Sequence, residues 1–106
     1  MMNEFVKVAR LNEVPAGRSR LVRVRDTDVA LWNADGCIYA INNICPHQHF
    51  SMLHEGILEG LYVTCPMHGH SFSLKDGSPK GNDGRAKTYE VKVERDEIYL
   101  KVDGEE

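Results

Sequence analysis

The stretch Cys45-Pro46-His47 is followed, after residues 48–64, by Cys65-Pro66-Met67-His68, and these two short clusters organise the rest of the chain. Each cluster joins one cysteine to one histidine, the first as C-x-H and the second as C-x-x-H. Sulfur and imidazole nitrogen are ligands that suit zinc and iron–sulfur chemistry, whereas magnesium and calcium prefer oxygen. We therefore expect a soft-metal site with four candidate ligands: Cys45, His47, Cys65 and His68.

The composition is that of an ordinary globular domain. The chain has 106 residues, of which 42% are hydrophobic and 27% charged, and this length fits one domain covering residues 1–106. Its net charge of −3 gives no basic surface for a polyanion, so we expect no nucleic-acid partner. No apolar run approaches the roughly 20 residues that a membrane-spanning helix needs, so we expect no membrane partner.

The cysteine count and the N-terminus bear on the cellular compartment. The chain has three cysteines, and the two clusters use two of them, which leaves Cys37. The first residues show neither the apolar segment nor the small-residue cleavage site of a secretory signal. An odd cysteine in a chain without a leader argues for a reducing compartment, so we expect a cytoplasmic protein. We expect Cys37 itself to be a small buried residue of a strand.

Alternation of apolar and polar residues predicts short strands near both ends of the chain. The predicted strands are residues 5–9, 21–25, 29–32, 38–41, 87–93 and 98–102. Residues 33–36 predict a tight hairpin, because Gly36 can take a positive φ. Many short alternating strands separated by turns are typical of a small antiparallel sandwich or open barrel. No segment shows a convincing helical period.

The middle of the chain, about residues 43–84, has a different character and contains both clusters. We interpret it as a cluster-binding subdomain on a β base. Within it, residues 57–59 and 61–64 predict a hairpin through Gly60, and residues 71–74 predict a further strand. Such a hairpin would bring the two ligand loops together. Residues 77–79 could form a third loop that covers the site.

The order of the ligands resembles the Rieske motif, C-x-H followed by C-x-x-H, and the resemblance covers nearly the whole chain. It implies an all-β, Rieske-like antiparallel sandwich or open barrel with one [2Fe–2S] cluster per chain. In this family two cysteines hold the inner iron, here Cys45 and Cys65. Two histidines hold the outer iron, here His47 and His68. Structural zinc also takes Cys₂His₂, although zinc sites more often group the cysteines and the histidines separately.

The resemblance also implies a function, that of the ferredoxin component of Rieske dioxygenase systems. Such a protein is an electron carrier and not an enzyme, and it passes electrons from a flavin-dependent reductase to a terminal, aromatic-ring-hydroxylating oxygenase. We expect transient contacts with both proteins and a monomeric carrier. The chain has no G-x-G-x-x-G nucleotide fingerprint and no second, mononuclear iron motif. Two alternatives stay open: the small subunit of an assimilatory NAD(P)H nitrite reductase, and a zinc-stabilised interaction module.

Four positions distinguish this chain from the high-potential Rieske proteins of bc complexes. Those proteins join the loops by a disulfide, where this chain has Phe50 and Met67. They also place a serine and a tyrosine where this chain has His70 and Phe72, and phenylalanine has no hydrogen to donate. Fewer hydrogen bonds to sulfur leave more electron density on the cluster. The resemblance is therefore to the soluble, low-potential ferredoxins.

Three further histidines lie beside the clusters, and we expect them to be solvated or backbone-bonded loop residues. They are His49, His54 and His70. Of these, His70 is the best candidate for a role next to the cluster, because it stands where the high-potential proteins have the serine.

Overall fold

The structure is a computed structural model that describes residues 5–45, 51–66, 69–81 and 84–101. Within these ranges nine strands form two antiparallel sheets. The larger sheet contains β1 (Val6–Arg10), β2 (Ser19–Val24), β3 (Thr27–Ala34), β4 (Cys37–Asn42), β8 (Thr88–Glu94) and β9 (Glu97–Lys101). The smaller sheet contains β5 (Ile57–Glu59), β6 (Tyr62–Thr64) and β7 (Ser71–Ser73). The predicted all-β class is confirmed.

The larger sheet curls into a barrel that is nearly closed. Its strand order is β1-β9-β8-β4-β3-β2, so β1 and β2 are its edges, and these two edges lie close to each other. Side chains alternate between the two faces of a strand. The face that fills the barrel is made mainly of branched aliphatic residues, among them Val22, Val29, Leu31, Ile98 and Leu100. The prediction of a small open barrel is therefore confirmed.

Strand β3, which lies next to the edge strand β2, is buried on both faces over most of its length, because the smaller sheet and its loops pack over the outside of the barrel. Val29 and Leu31 belong to the barrel core, whereas Ala30, Trp32 and Ala34 belong to a second core between the barrel and the cluster-binding stretch. A strand that is covered on both sides shows a continuous apolar run instead of alternation, as residues 29–32 do. Both motif cysteines belong to this second core.

The smaller sheet lies inside the stretch that the sequence sets apart. Leu58 pairs with Val63 across a turn in which Gly60 has a φ of 62°. The third strand, β7, then adds to β6 with Phe72 opposite Val63. This arrangement confirms the predicted hairpin and the predicted further strand.

The hairpin between β3 and β4 confirms one prediction and corrects another. Asp35 and Gly36 have φ values of 59° and 92°, as a two-residue turn of this kind requires. Cys37 follows the turn and pairs with Ala34, but its side chain is exposed. The expectation of a buried cysteine is wrong: Cys37 is the first residue after the turn, at the tip of the hairpin, and it is exposed although its partner Ala34 is buried.

Helical structure in the described ranges consists of two 3₁₀ helices, Leu11–Glu13 and Leu53–Glu55. The first occupies a turn between β1 and β2. The second follows the first ligand loop and was not predicted. No helix of the described chain has the length and apolarity needed to cross a bilayer.

Candidate metal centre

The two motif cysteines occupy equivalent places in two hairpin loops. In the first loop, Ile44 and Ser51 form an antiparallel bridge, and Cys45 is the next residue. In the second loop, Thr64 and Ser71 end the pairing of β6 with β7, and Cys65 is again the next residue. Each cysteine therefore leaves a paired backbone at the start of its loop, which fixes the position of its Cα.

Both thiols are removed from water. Cys45 is 0% exposed and Cys65 is 1% exposed, and both lie in the core that also contains Leu53, Val63 and Phe72. Neither cysteine forms a disulfide. A pair of buried, reduced thiols in one apolar core suits an iron–sulfur centre, since thiolates are its ligands and the apolar shell limits solvent access.

The two predicted histidine ligands, His47 and His68, lie outside the described residues, as do His49, Phe50 and Met67. In the ranges that the structure covers, no group of three histidine, cysteine or acidic side chains comes together as a metal site. The described part of the chain therefore supplies the cysteine half of the predicted centre.

Backbone hydrogen bonds close the second loop around Cys65. The N–H of Cys65 donates to the carbonyl oxygen of His70 at 2.7 Å, and the N–H of Gly69 donates to the carbonyl oxygen of Cys65 at 3.1 Å. The hydroxyls of Thr64 and Ser71 lie 2.7 Å apart and join the two sides of the loop at its base. His70 therefore holds Cys65 through its main-chain carbonyl oxygen.

The first loop is closed by a residue that the sequence reasoning missed. Asn43 is 0% exposed, and its carbonyl oxygen accepts hydrogen bonds from the N–H groups of Met52 (2.9 Å) and Leu53 (3.0 Å). Its side-chain Oδ1 accepts a third bond, at 2.6 Å, from the N–H of His54. Asn43 thus joins the chain before Cys45 to the chain that returns after the loop.

A third loop folds back on β7. Gly77 donates its N–H to the carbonyl oxygen of Ser73 at 2.8 Å and accepts a bond from the N–H of Ala86 at 2.9 Å. Phe72 forms an isolated bridge with Pro79 and is 0% exposed. The ring that stands where the high-potential proteins have the tyrosine is therefore buried in the same core as both cysteines.

One carboxylate stabilises this third loop. Asp76 Oδ1 accepts hydrogen bonds from the N–H of Ser78 at 2.9 Å and from its hydroxyl at 2.7 Å. These two bonds, the backbone one first, hold the pKa of the Asp76 carboxyl below its usual value, and the nearby charge of Arg85 acts in the same direction. The charged form of Asp76 therefore favours the closed loop.

The fold and the site together define a class: a small β-barrel with two buried cysteines at equivalent places in two loops, an arrangement that suits a soft-metal centre. The family model of the Rieske [2Fe-2S] domain matches residues 4–95 of the chain. The chain belongs to this family, and a Rieske-type [2Fe–2S] cluster is therefore its cofactor.

Relatives of known role match over almost the full length. The ferredoxin component of the naphthalene 1,2-dioxygenase/salicylate 5-hydroxylase systems of Ralstonia sp. is 34% identical, over 97% of this chain and 100% of its own. The ferredoxin component of the 2,4-dinitrotoluene dioxygenase system of Burkholderia sp. (strain RASC) is 35% identical, with the same coverage.

Two solved structures show the range of proteins that share the fold. One chain in the complex of reduced oxygenase and oxidized ferredoxin of carbazole 1,9a-dioxygenase matches with a TM-score of 0.84 and 29% identity, over 94% of each chain. The NADH-dependent nitrite reductase small subunit from Mycobacterium tuberculosis, a tentative assignment in its own description, matches with a TM-score of 0.89. Its identity is 22%, over 99% of this chain and 100% of its own, so this likeness shows the fold alone.

Proposed function

We propose that the cluster is held by Cys45, His47, Cys65 and His68, with the cysteines on the inner iron and the histidines on the outer iron. The equivalent loop positions and the shared burial of the two cysteines support their half of the assignment. The histidine half is supported by the match to the family motif. When bound, this centre accepts and releases one electron.

The function that this site supports best is one-electron transfer by a small carrier. Two thiolates bring two negative charges to the centre, where four thiolates would bring four. Adding an electron is therefore easier, and Rieske centres lie at about −150 to +300 mV, against about −400 mV for plant-type ferredoxins. The absence of hydrogen-bond donors from Phe72 argues for the low end of this range.

We infer the partners from the relatives. A flavin-dependent reductase would supply the electron, and a terminal, ring-hydroxylating oxygenase would receive it. Both curated relatives are named as ferredoxin components of dioxygenase systems, and one matching structure is a complex of oxygenase with ferredoxin. Both contacts would be transient, with the carrier a cytoplasmic monomer.

Neither alternative has comparable support. A small subunit of an assimilatory nitrite reductase shares the fold, but the likeness to that chain carries no further argument at 22% identity. A zinc-stabilised interaction module would use the same ligands, but the chain belongs to a [2Fe–2S] family.

The cysteine pair offers a direct test, because the third cysteine is a matched control. We expect the Cys45→Ser variant to lose the visible absorption of the cluster, since a buried ligand is removed. We expect Cys37→Ser to keep it, because Cys37 is exposed at the tip of the β3–β4 hairpin. Equal spectra for the two variants would contradict the ligand assignment.

The carrier role is tested by stoichiometry and by size. Reductive titration should take up one electron per chain, and the protein from gently lysed cells should elute at the size of its own 12.0 kDa chain. Reduced protein should be reoxidised by a purified oxygenase component. A permanent complex with a large flavin- and haem-containing protein would instead favour the nitrite reductase alternative.

A further inference from the structure

Asn43 closes the first ligand loop with an unusually complete set of hydrogen bonds. Besides the three bonds it accepts from residues 52–54, its own N–H donates to the carbonyl oxygen of Asp28 at 2.9 Å. Its side-chain Nδ2 lies 2.8 Å from Ser51 Oγ and 2.9 Å from His54 Nδ1. Every polar atom of this fully buried residue therefore has a partner.

The direction of these bonds is fixed by the backbone. The N–H of His54 can only donate, so the Asn43 atom 2.6 Å away is the oxygen, and the amide nitrogen must face Ser51 and His54. Ser51 Oγ then accepts from Asn43 and donates its own hydrogen to Asp28 Oδ2 at 2.8 Å. His54 Nδ1 is closer to the Asn43 nitrogen (2.9 Å) than to its oxygen (3.2 Å), which favours an accepting Nδ1.

The network ties the loop to the barrel at two separate points. At one end, Asp28 on β3 accepts from Ser51 and also from Arg23 Nη1 at 2.9 Å. At the other end, Ser19 Oγ on β2 donates to the carbonyl oxygen of His54 at 2.6 Å. Asn43 lies between these ends and contacts both. The two sides of the loop 45–50 are thereby held against a rigid sheet.

We propose that Asn43 is a positioning residue for the cluster: its amide sets the spacing of the two sides of the first ligand loop and so positions Cys45 at the start of that loop. This inference rests on the proposed ligand role of Cys45, which lies two residues away. Only an amide side chain suits the position, since it must accept from one backbone N–H and donate to two neighbours. An alanine or leucine side chain has no polar atom and would remove all of these side-chain hydrogen bonds.

The experiment compares Asn43→Ala with Asn33→Ala in the cluster-loaded protein. Asn33 is a matched control, because it is 7% exposed and its side chain also bonds the backbone, to the carbonyl oxygen of Val14 (2.8 Å) and the N–H of Gly36 (2.9 Å). It lies at the hairpin end of β3, away from the ligand loops. Both variants should be less stable, so stability alone does not distinguish a positioning role from a structural one.

The readouts that do distinguish them are the EPR spectrum of the reduced protein and cluster retention under a chelator. We expect N43A to shift and broaden the g values and to lose its cluster about tenfold faster than wild type, a factor that corresponds to about 1.4 kcal/mol. We expect N33A to match wild type in both. An unchanged spectrum and retention in N43A, or equal changes in the two variants, would overturn the proposal.

A second variant keeps the test decisive if N43A does not fold. Ser51 is exposed, so Ser51→Ala should fold while it breaks the side-chain link from Asn43 through Ser51 to Asp28. It should shift the EPR spectrum in the same direction, by less, and a spectrum identical to wild type would then overturn the proposal. Failure of wild type to show a Rieske signal would instead count against the proposed function.

Discussion

A Cβ atom on Gly77 would overlap the carbonyl oxygen of Ala86, so the two backbones are packed as closely as a glycine permits. Gly77 also has a φ of 78°, in the left-handed region that favours glycine. The contact joins the third loop, which follows β7, to the chain that leads into β8. It therefore connects the cluster-binding stretch to the barrel at a point that is separate from the two ligand loops.

Replacing Gly77 with alanine should destabilise the protein more than the same change at Gly36. Gly36 has a φ of 92° but open space around it, so Gly36→Ala bears only the conformational cost of roughly 1–2 kcal/mol. Gly77→Ala adds overpacking of about 1–3 kcal/mol. In thermal unfolding, each kcal/mol lowers the Tm by about 4–8 °C in a domain of this size. Equal Tm values for the two variants would contradict the close contact.

Exchanging a ligand histidine should change the cluster itself. His47→Cys or His68→Cys adds a thiolate charge, so the reduction potential should fall, or the cluster should be lost. His54→Ala is the matched control, since it removes a histidine that is not one of the four proposed ligands, and it should retain a reducible centre. Potentiometry with EPR detection measures both. Unchanged spectra in the two cysteine variants would refute the ligand assignment.

Adding a hydroxyl at residue 72, by Phe72→Tyr, should raise the reduction potential of the cluster. Phe72 lies in the same core as both cysteines, and a tyrosine there could donate a hydrogen bond to sulfur, which favours the reduced cluster. Phe5→Tyr, in the chain before β1, adds the same hydroxyl far from the site and should leave the potential unchanged. A folded Phe72→Tyr protein with the wild-type potential would show that hydrogen bonding from this position does not set it.

Acid should weaken the third loop through Asp76. The folded-state pKa of this carboxyl is lowered by the hydrogen bonds from Ser78, so its contribution is present above the unfolded pKa of about 4 and is lost as the pH falls through the lower folded value. As the pH is lowered from 5, the free energy of unfolding should therefore fall less in Asp76→Asn than in wild type. Denaturant titrations at several pH values measure this difference. A pH dependence identical to wild type would exclude this carboxyl as a contributor.

The strands were predictable because their alternation records a local rule, that one face is buried and the other is not. When both faces are buried the alternation disappears, and the apolar run at residues 29–32 indicates such a strand. It does not say how far the covering layer extends. Cys37 obeys the strand pattern and pairs with the buried Ala34, yet it is exposed beside the turn, and so its exposure could not be inferred from its neighbours in sequence.

The candidate ligands could be predicted because cysteines and histidines in this order are unusual. The residues that hold the ligand loops in place could not be predicted. Asparagine and serine are common in loops, and nothing in residue type distinguishes Asn43 from Asn42. Two of the partners of Asn43, Leu53 and His54, lie across the ligand loop in the 3₁₀ helix Leu53–Glu55, which is too short to show a sequence period. Only the three-dimensional arrangement reveals that this residue closes the loop.

EPR spectroscopy of the dithionite-reduced protein tests the central claim most directly, that two cysteines and two histidines hold a [2Fe–2S] cluster. We predict a coloured protein with two iron atoms per chain whose reduced form gives a rhombic signal with the low average g value of a histidine-ligated cluster. A colourless protein that contains zinc, or a signal with the higher average g value of a four-cysteine cluster, would contradict the account.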